Sequence, residues 1–545
     1  MLKFNFKKVT LDLTVKNSSI TSAAQFLEKC SPLLIFAFLA AVSTLAYLNY
    51  YRNGLGLAYN DARSHLDIGR RVVEGLKPGL AQLGSVWLPL PHFLMVFTVW
   101  NDFMWHSGLS GALISMISFI GSGISIYLIL KRLGAGLLAR LVGVLVFALN
   151  LNVLYLQSTA MTELLLLFTI TAAAYELIAW YQDENLFNLV KAAFFIMLST
   201  LVRYDGWFLY AISAFFIVIH VFKKKGFKAA EGTFIFLSTL AAFGIFLWFM
   251  WNLLIFGDPL YFALGPYSAY AQQLQLKEAG NLATQGNIIF SLRIYLYSMI
   301  YATGATTVIL GFLGLITFLF DKKLKVGLRY LATLLFTAPL IFNILALYLG
   351  FSVLFIQGVS GNTWFNVRYG VMMITSVAIL IGYLVQKFGS FKYLIIGILL
   401  FTGFFSFANT DAVTIDDARV GSSQKNVSQV AGWIQTHAKD NQDEILISAA
   451  SHDAIIFSSG LPMKRFIHEG TGAYWMSATK APDIWARYIV MRTNDVNDQT
   501  FKLVKETGAL SKYDLVLQGS FADIYELKGQ YLNNLTPAPL PILRK

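Results

Sequence analysis

The chain has 545 residues, of which 56% are hydrophobic and only 13% charged, where soluble domains sit at about a quarter charged. That balance excludes a disordered chain and a coiled coil, and the single cysteine, Cys30, excludes an intrachain disulfide. The formal net charge of +12 would suggest nucleic acid in a soluble protein, but in an apolar chain the first suspect is loop charge that sets membrane orientation.

A helix needs about 20 apolar residues to cross a bilayer core roughly 30 Å thick. Eleven stretches qualify: 32–50, 109–130, 137–154, 161–180, 187–203, 207–222, 233–256, 300–320, 329–350, 369–386 and 392–409. The lysine-bearing leader 1–31 lacks a cleavage signal, so the first span reads as a signal anchor. With the leader inside, 19 of the 42 Lys and Arg residues fall in short cytoplasmic segments and nine in the opposite loops, which include the long 51–108 stretch. The expected fold is therefore a polytopic α-helical membrane protein of about 11 transmembrane helices, N-in and C-out. Interfacial helices are expected in the first outer loop, and nucleic acid is excluded as a partner. The body, 32–409, is the transmembrane domain. The polar tail, 410–545, mixes a helix at Asn426–Thr436 with strand-like runs at Glu444–Ser448, Tyr488–Met491, Asp514–Leu517 and Asp523–Leu527. It predicts a small α/β domain outside the membrane, with an extended Pro-rich end from Thr536 to Ile542.

Ionisable groups near a span cost roughly 2.5–3.5 kcal/mol at the helix centre, so their placement is informative. In chain order, Asp61, His65, His92, Glu163, Arg203, Asp205, Asp258 and Arg368 all fall in outer loops or at outer helix ends. An amphipathic interfacial helix is predicted from 62 to about 74, ending near Gly75, and Asp61 and His65 share one face of it. Asp61 alone would read as an ordinary helix N-cap, and Glu163 also suits the dipole at the start of the fourth span; it is their combination that points to a site. Arg203-Tyr204-Asp205-Gly206-Trp207 marks an outer junction, Asn366-Val367-Arg368-Tyr369 precedes the tenth span, and Gly257-Asp258-Pro259 reads as a turn. Asp61, His65, His92 and Glu163 are suitable ligand types for a metal, but no HExxH or Cys/His spacing accompanies them. No cofactor is required; should a divalent metal bind, Asp61, His65 and Glu163 are the residues expected to hold it.

A site facing away from the cytosol has no nucleotide sugar at hand, so group transfer there needs a donor delivered by the membrane. A polyprenyl-phosphate sugar meets that need. One carboxylate, Asp61, would take the proton of an attacking hydroxyl, and Arg203 and Arg368 would meet the phosphate. One base and one displacement predict inversion at the anomeric carbon. A flippase for lipid-linked sugars, or a polymerase or ligase using a pyrophosphate-linked lipid, are the alternatives.

At these residues the chain resembles the GT-C superfamily of lipid-phosphate-sugar-dependent glycosyltransferases, in the branch of protein O-mannosyltransferases and the lipid A aminoarabinose transferase. The resemblance rests on Asn60-Asp61, on Trp87-Leu88-Pro89-Leu90-Pro91-His92, on Thr162-Glu163 opening a span, and on Arg203-Tyr204-Asp205-Gly206-Trp207. It implies Asp61 as catalytic base and Glu163 as a second acidic landmark near the donor phosphate or a metal. Arg203, Arg368, His65, Tyr204, Asp205, Tyr369 and His92 are the accompanying expected substrate-binding residues. It also implies a glycan, lipid or protein acceptor, in a multi-pass protein of the plasma (inner) membrane whose active site and tail are extracytoplasmic. This chain has Asp61-Ala62 where the family often has Asp-Glu, and Leu88-Pro89-Leu90-Pro91-His92 where it often has His/Lys-Pro-Pro.

Overall fold

The computed structural model describes residues 17–265, 268–278, 280, 282–420, 424–495 and 498–536. Most of the expected leader, and the Pro-rich end beyond Thr536, lie outside the described residues. Among these residues, seven helices are long and apolar enough to cross a membrane, or nine if each of two bent pairs counts as one span. The other two sequence-expected spans are shorter helices, Leu137–Ala148 with 12 residues and Leu186–Val202 with 17.

The departures from eleven uniform spans have local causes. Asn150 ends the third stretch early, because its side chain accepts the Val153 amide at 3.0 Å and starts a separate helix, Leu151–Leu156. Gly304 sits at φ 90°, outside the right-handed helical region, so Ile288–Thr303 and Ala305–Phe320 meet at a 112° bend. Phe227–Ala241 and Phe243–Phe256 meet at a gentler 50°.

Burial sorts the spans by position. The apolar windows of Glu163–Asp183 and Val367–Lys387 are 83% and 89% buried, whereas that of Gly389–Val420 is 6% buried. The first two form the centre of the bundle and the last lies at its periphery. Glu163 and Arg368 therefore stand at the N-terminal ends of the two innermost helices, where ionic side chains are costly unless paired.

The C-terminal part carries five strands: β1 (Ile445–Ile447), β2 (Phe466–Ile467), β3 (Tyr488–Met491), β4 (Tyr513–Leu517) and β5 (Asp523–Leu527), in spatial order β2-β1-β3-β5-β4. The β1 strand pairs in parallel with β2 and β3, while β5 runs antiparallel between β3 and β4. Period-two alternation divides the side chains between two cores, with Ile445, Ile447, Val490 and Ile524 on one face and Leu446, Ile489, Met491 and Leu527 on the other. The two-residue β2 has no counterpart among the strand-like runs of the sequence.

This sheet unit docks onto the helix Asn60–Val73, which the sequence placed at 62–74. Arg71 donates to both Asp453 carboxylate oxygens at 2.9 and 3.2 Å, and Arg63 donates to Ser458 Oγ at 2.9 Å. The Met463 amide donates to Glu74 Oε1 at 3.0 Å, and Gln82 Nε2 to the Gly470 carbonyl at 2.8 Å. The helix Val413–Val420 behaves differently from the rest of the tail. It packs against Leu151–Leu156 and the turn Val367–Met373, and the Thr414 amide and hydroxyl both donate to Asn152 Oδ1, at 3.0 and 2.9 Å.

Candidate functional site

The helix Asn60–Val73 begins after Tyr59, whose backbone is extended (φ −73°, ψ 129°) and whose side chain makes no cap. Asp61 therefore lies in the first turn and is not the N-cap. One turn on, His65 shares its face, and both side chains meet residues from distant parts of the chain.

Arg368 is delivered by an unusual piece of backbone. Asn366 occupies the left-handed region at φ 57°, a conformation Asn tolerates better than most residues, and its Nδ2 donates to the Val353 carbonyl at 2.9 Å. A tight turn, Val367–Met373, follows and leans on the helix Ile288–Thr303. Ser298 Oγ donates to the Val367 carbonyl at 2.8 Å, and the Tyr295 hydroxyl to the Tyr369 carbonyl at 3.2 Å. The contact is so close that a Cβ on Gly370 would lie 2.2 Å from the Ser298 carbonyl oxygen.

The Arg368 guanidinium then bridges the acids. Its Nη2 donates to Asp61 Oδ2 at 2.6 Å and its Nε to Glu163 Oε1 at 3.1 Å. Arg203, which ends the helix Leu186–Val202 in extended conformation, brings Nη1 to 3.6 Å from the same Glu163 oxygen and Nε to 3.4 Å from Asp205 Oδ2. Tyr369 lies against both cations, its ring centroid 4.8 Å from the Arg203 guanidinium carbon and 5.4 Å from that of Arg368. The structure brings Asp61, Glu163, Arg203, Asp205, Arg368 and Tyr369 together in one cluster. Exposure separates the acids: the Asp61 side chain is 41% exposed and that of Glu163 0%. Of the two, Asp61 is open to solvent, while Glu163 is enclosed with the two arginines.

His65 and His92 form a buried pair beside this cluster, with Nδ1 of the first 2.7 Å from Nε2 of the second, and Trp87 covers the His65 ring at 4.4 Å between centroids. Burial, and then the positive charges of Arg368 and Arg203, hold the His65 imidazole down to about 3. Burial pushes His92 well below the ordinary histidine range. Both rings are neutral at pH 7, so one nitrogen of the pair donates to the other. Tyr204 turns away from the cluster: its hydroxyl donates to the Val86 carbonyl at 3.2 Å and braces the loop that holds Trp87. Asp258 is used by its own turn, where Oδ1 accepts the Leu260 amide at 2.9 Å.

Among the described residues no group of three or more His, Cys, Asp or Glu side chains is arranged to hold a metal ion. Asp61 and Glu163 are compensated by a guanidinium lying between them, and His65 is directed at His92. Two participants escaped the sequence analysis. The Tyr59 hydroxyl donates to Asp417 Oδ2 at 2.9 Å, the Tyr59 ring lies 4.9 Å from the Arg368 guanidinium carbon, and Asp417 Oδ2 is 4.0 Å from Arg368 Nη1. Tyr59 precedes the acid that drew attention, and Asp417 is one charge among many in a polar tail.

No family profile and no curated protein matches the chain. Among solved structures it is similar to ArnT from Cupriavidus metallidurans bound to undecaprenyl phosphate, with a TM-score of 0.55 and 10% identity over 91% of this chain and 98% of that one. It is also similar to the oligosaccharyltransferase of Archaeoglobus fulgidus in its apo form, with a TM-score of 0.50 and 11% identity over 92% of this chain and 75% of that one. With its apolar spans and its C-terminal sheet, the chain shares the fold of these two solved structures.

Proposed function

We propose that the protein is an inverting glycosyltransferase of the plasma membrane that moves a sugar from a polyprenyl-phosphate donor to an acceptor hydroxyl on the extracytoplasmic face. The observation that carries this reading is the chain of contacts Asp61–Arg368–Glu163–Arg203. One half-exposed carboxylate stands beside two guanidinium groups that a buried carboxylate holds together. In the proposed step Asp61 takes the proton of the acceptor hydroxyl while that oxygen bonds to the anomeric carbon. The bond from that carbon to the phosphate oxygen breaks, and its electron pair leaves with the phosphate, where Arg368 and Arg203 stabilise the added charge. The undecaprenyl phosphate bound to ArnT supports a lipid-phosphate donor. Trp87, which is exposed and covers the buried neutral His65–His92 pair, offers an uncharged aromatic face, which suits a sugar. The sheet unit, 410–545 apart from its first helix, is assigned to the same extracytoplasmic side as Asp61, onto whose helix it docks.

Two bent helix pairs are also features of transporters, and one assay separates the readings. Purified protein in liposomes is given a radiolabelled polyprenyl-phosphate sugar with a mixture of glycan and lipid acceptors. A transferase releases free polyprenyl phosphate, a pyrophosphate-dependent ligase requires the pyrophosphate-linked donor, and a flippase leaves the donor chemically intact. Intact donor after prolonged incubation, with orientation across the bilayer changed, would refute the transferase.

A further inference from the structure

We propose that Asp417 is a positioning residue for the donor phosphate, acting through Tyr59 to fix the Arg368 guanidinium; this rests on the transferase reading above. Arg368 is confined on several sides. Asp61 and Glu163 hold its edges, Tyr59 and Tyr369 lie against it, and Asp417 approaches its remaining terminal nitrogen at 4.0 Å. An incoming phosphate needs N–H groups from this cation, and the pair with half-exposed Asp61 is the one it can replace. Glu163 and the Asp417–Tyr59 pair then remain to keep the guanidinium in place.

The placement of Asp417 is built into the fold. It is 3% exposed and reaches the site on the helix Val413–Val420, which Thr414 fastens to Asn152. Asn152 Nδ2 in turn donates to the Ala302 carbonyl at 2.9 Å, next to the 112° bend. Its carboxylate accepts from the hydroxyl of Tyr59, also buried and two residues before the proposed base. A buried hydroxyl–carboxylate pair costs desolvation that two packed apolar side chains would avoid, so stability alone gives no reason for it. The segment after the last span thus contributes a residue to a site otherwise formed by the helical body.

The test measures binding of undecaprenyl phosphate to the purified full-length protein in detergent, with a thermal transition recorded for each variant. Asp417→Ala and Tyr59→Phe should each weaken binding about three- to tenfold, because a loosened Arg368 guanidinium must then be ordered as the phosphate binds. Asp417→Asn, which still accepts from the Tyr59 hydroxyl, should lose less than Asp417→Ala. The double variant Tyr59→Phe/Asp417→Ala should bind no more weakly than Asp417→Ala, because the hydroxyl bond deleted by Tyr59→Phe is already lost in Asp417→Ala. Unchanged binding by folded Asp417→Ala, or a double loss equal to the product of the single losses, overturns the role of Asp417. Should Asp417→Ala fail to fold, Tyr59→Phe, which deletes one oxygen, decides in the same way. Wild-type protein that does not bind undecaprenyl phosphate overturns the donor reading together with this role. Wild-type binding that Asp417→Ala leaves intact overturns the role alone.

Discussion

Arg368 and Asp61, separated by 307 positions in the chain, form an ion pair with Nη2 2.6 Å from Oδ2. The proposed base and the proposed phosphate-binding cation are thus a single interacting unit, and each variant acts on both functions to a degree set by burial.

Asp61→Asn keeps the shape of the side chain and leaves Arg368 paired with Glu163. Turnover should fall by about two to four orders of magnitude, the usual contribution of a general base, while undecaprenyl phosphate binding changes no more than a few-fold. Single-turnover transfer assays beside binding measurements check this, and turnover near the wild-type rate would remove Asp61 from the chemistry.

Arg368→Ala is the more damaging change to the protein itself. It leaves the fully buried Glu163 carboxylate with only Arg203 at 3.6 Å, and removing one partner of a buried pair costs about 3–5 kcal/mol. A clear drop in the thermal transition is expected. Arg368→Lys should recover part of the stability but little donor binding, because an ammonium cannot span both carboxylates as the planar fork does.

Gly370→Ala tests how the arginine is placed. The added Cβ would lie 2.2 Å from the Ser298 carbonyl oxygen, so the turn Val367–Met373 must move off the helix Ile288–Thr303 and carry Arg368 with it. Activity and thermal transition should both fall. Gly403→Ala on the peripheral helix Lys392–Asn409, where a Cβ meets nothing within 4 Å, should be neutral or slightly stabilising.

The buried histidines give a pH dependence of fixed sign. His65, held down to about 3, and His92, held well below its usual range, stay neutral in the folded protein after the unfolded chain has begun to take up protons near pH 6.5. Their contribution to stability is complete above that pH and is lost as the pH falls below it, by roughly 1.4 kcal/mol per pH unit for each ring. Asp453, which burial raises to about 6, works in the opposite sense, so the quantity to read is the difference between wild type and a His65→Gln/His92→Gln variant. Melting scans between pH 5 and 7 should show a shallower acid slope in the variant.

The docking of the sheet unit gives a final contrast. Burial, and then the neighbouring Asp453, push the Asp67 carboxyl well above its ordinary range and so favour its neutral form, which Asp67→Asn imitates; that change should be nearly silent. Arg71→Ala removes the two hydrogen bonds to Asp453, whose side chain is only 10% exposed. It should destabilise the protein by about 3 kcal/mol or more. Limited proteolysis of the C-terminal unit reports both outcomes.

The legible part of the site was the set of charges at span ends. In an apolar chain Glu163, Arg203 and Arg368 stand out because each costs energy unless paired, and that cost predicted their convergence. The strands Tyr488–Met491 and Asp523–Leu527 were likewise visible, as short β-rich runs between polar segments. What stayed hidden depends on interactions with no local pattern. The break at Asn150 is a side-chain cap, and the bend at Gly304 is one backbone angle within an apolar run. The orientation of Tyr204 away from the cluster is decided by the Val86 carbonyl, which has no sequence signature. Asp417 escaped because a carboxylate in a polar tail costs nothing until tertiary structure buries it.

The position of Val413–Val420 against the membrane body has a consequence for biogenesis. The ribosome makes the helix Asn60–Val73 early, yet the Asp417 carboxylate that accepts from Tyr59 emerges only after the last apolar span has left the tunnel. A nascent or prematurely terminated polypeptide therefore carries Asp61 and Tyr59 without the Asp417 contact that holds the Tyr59 hydroxyl.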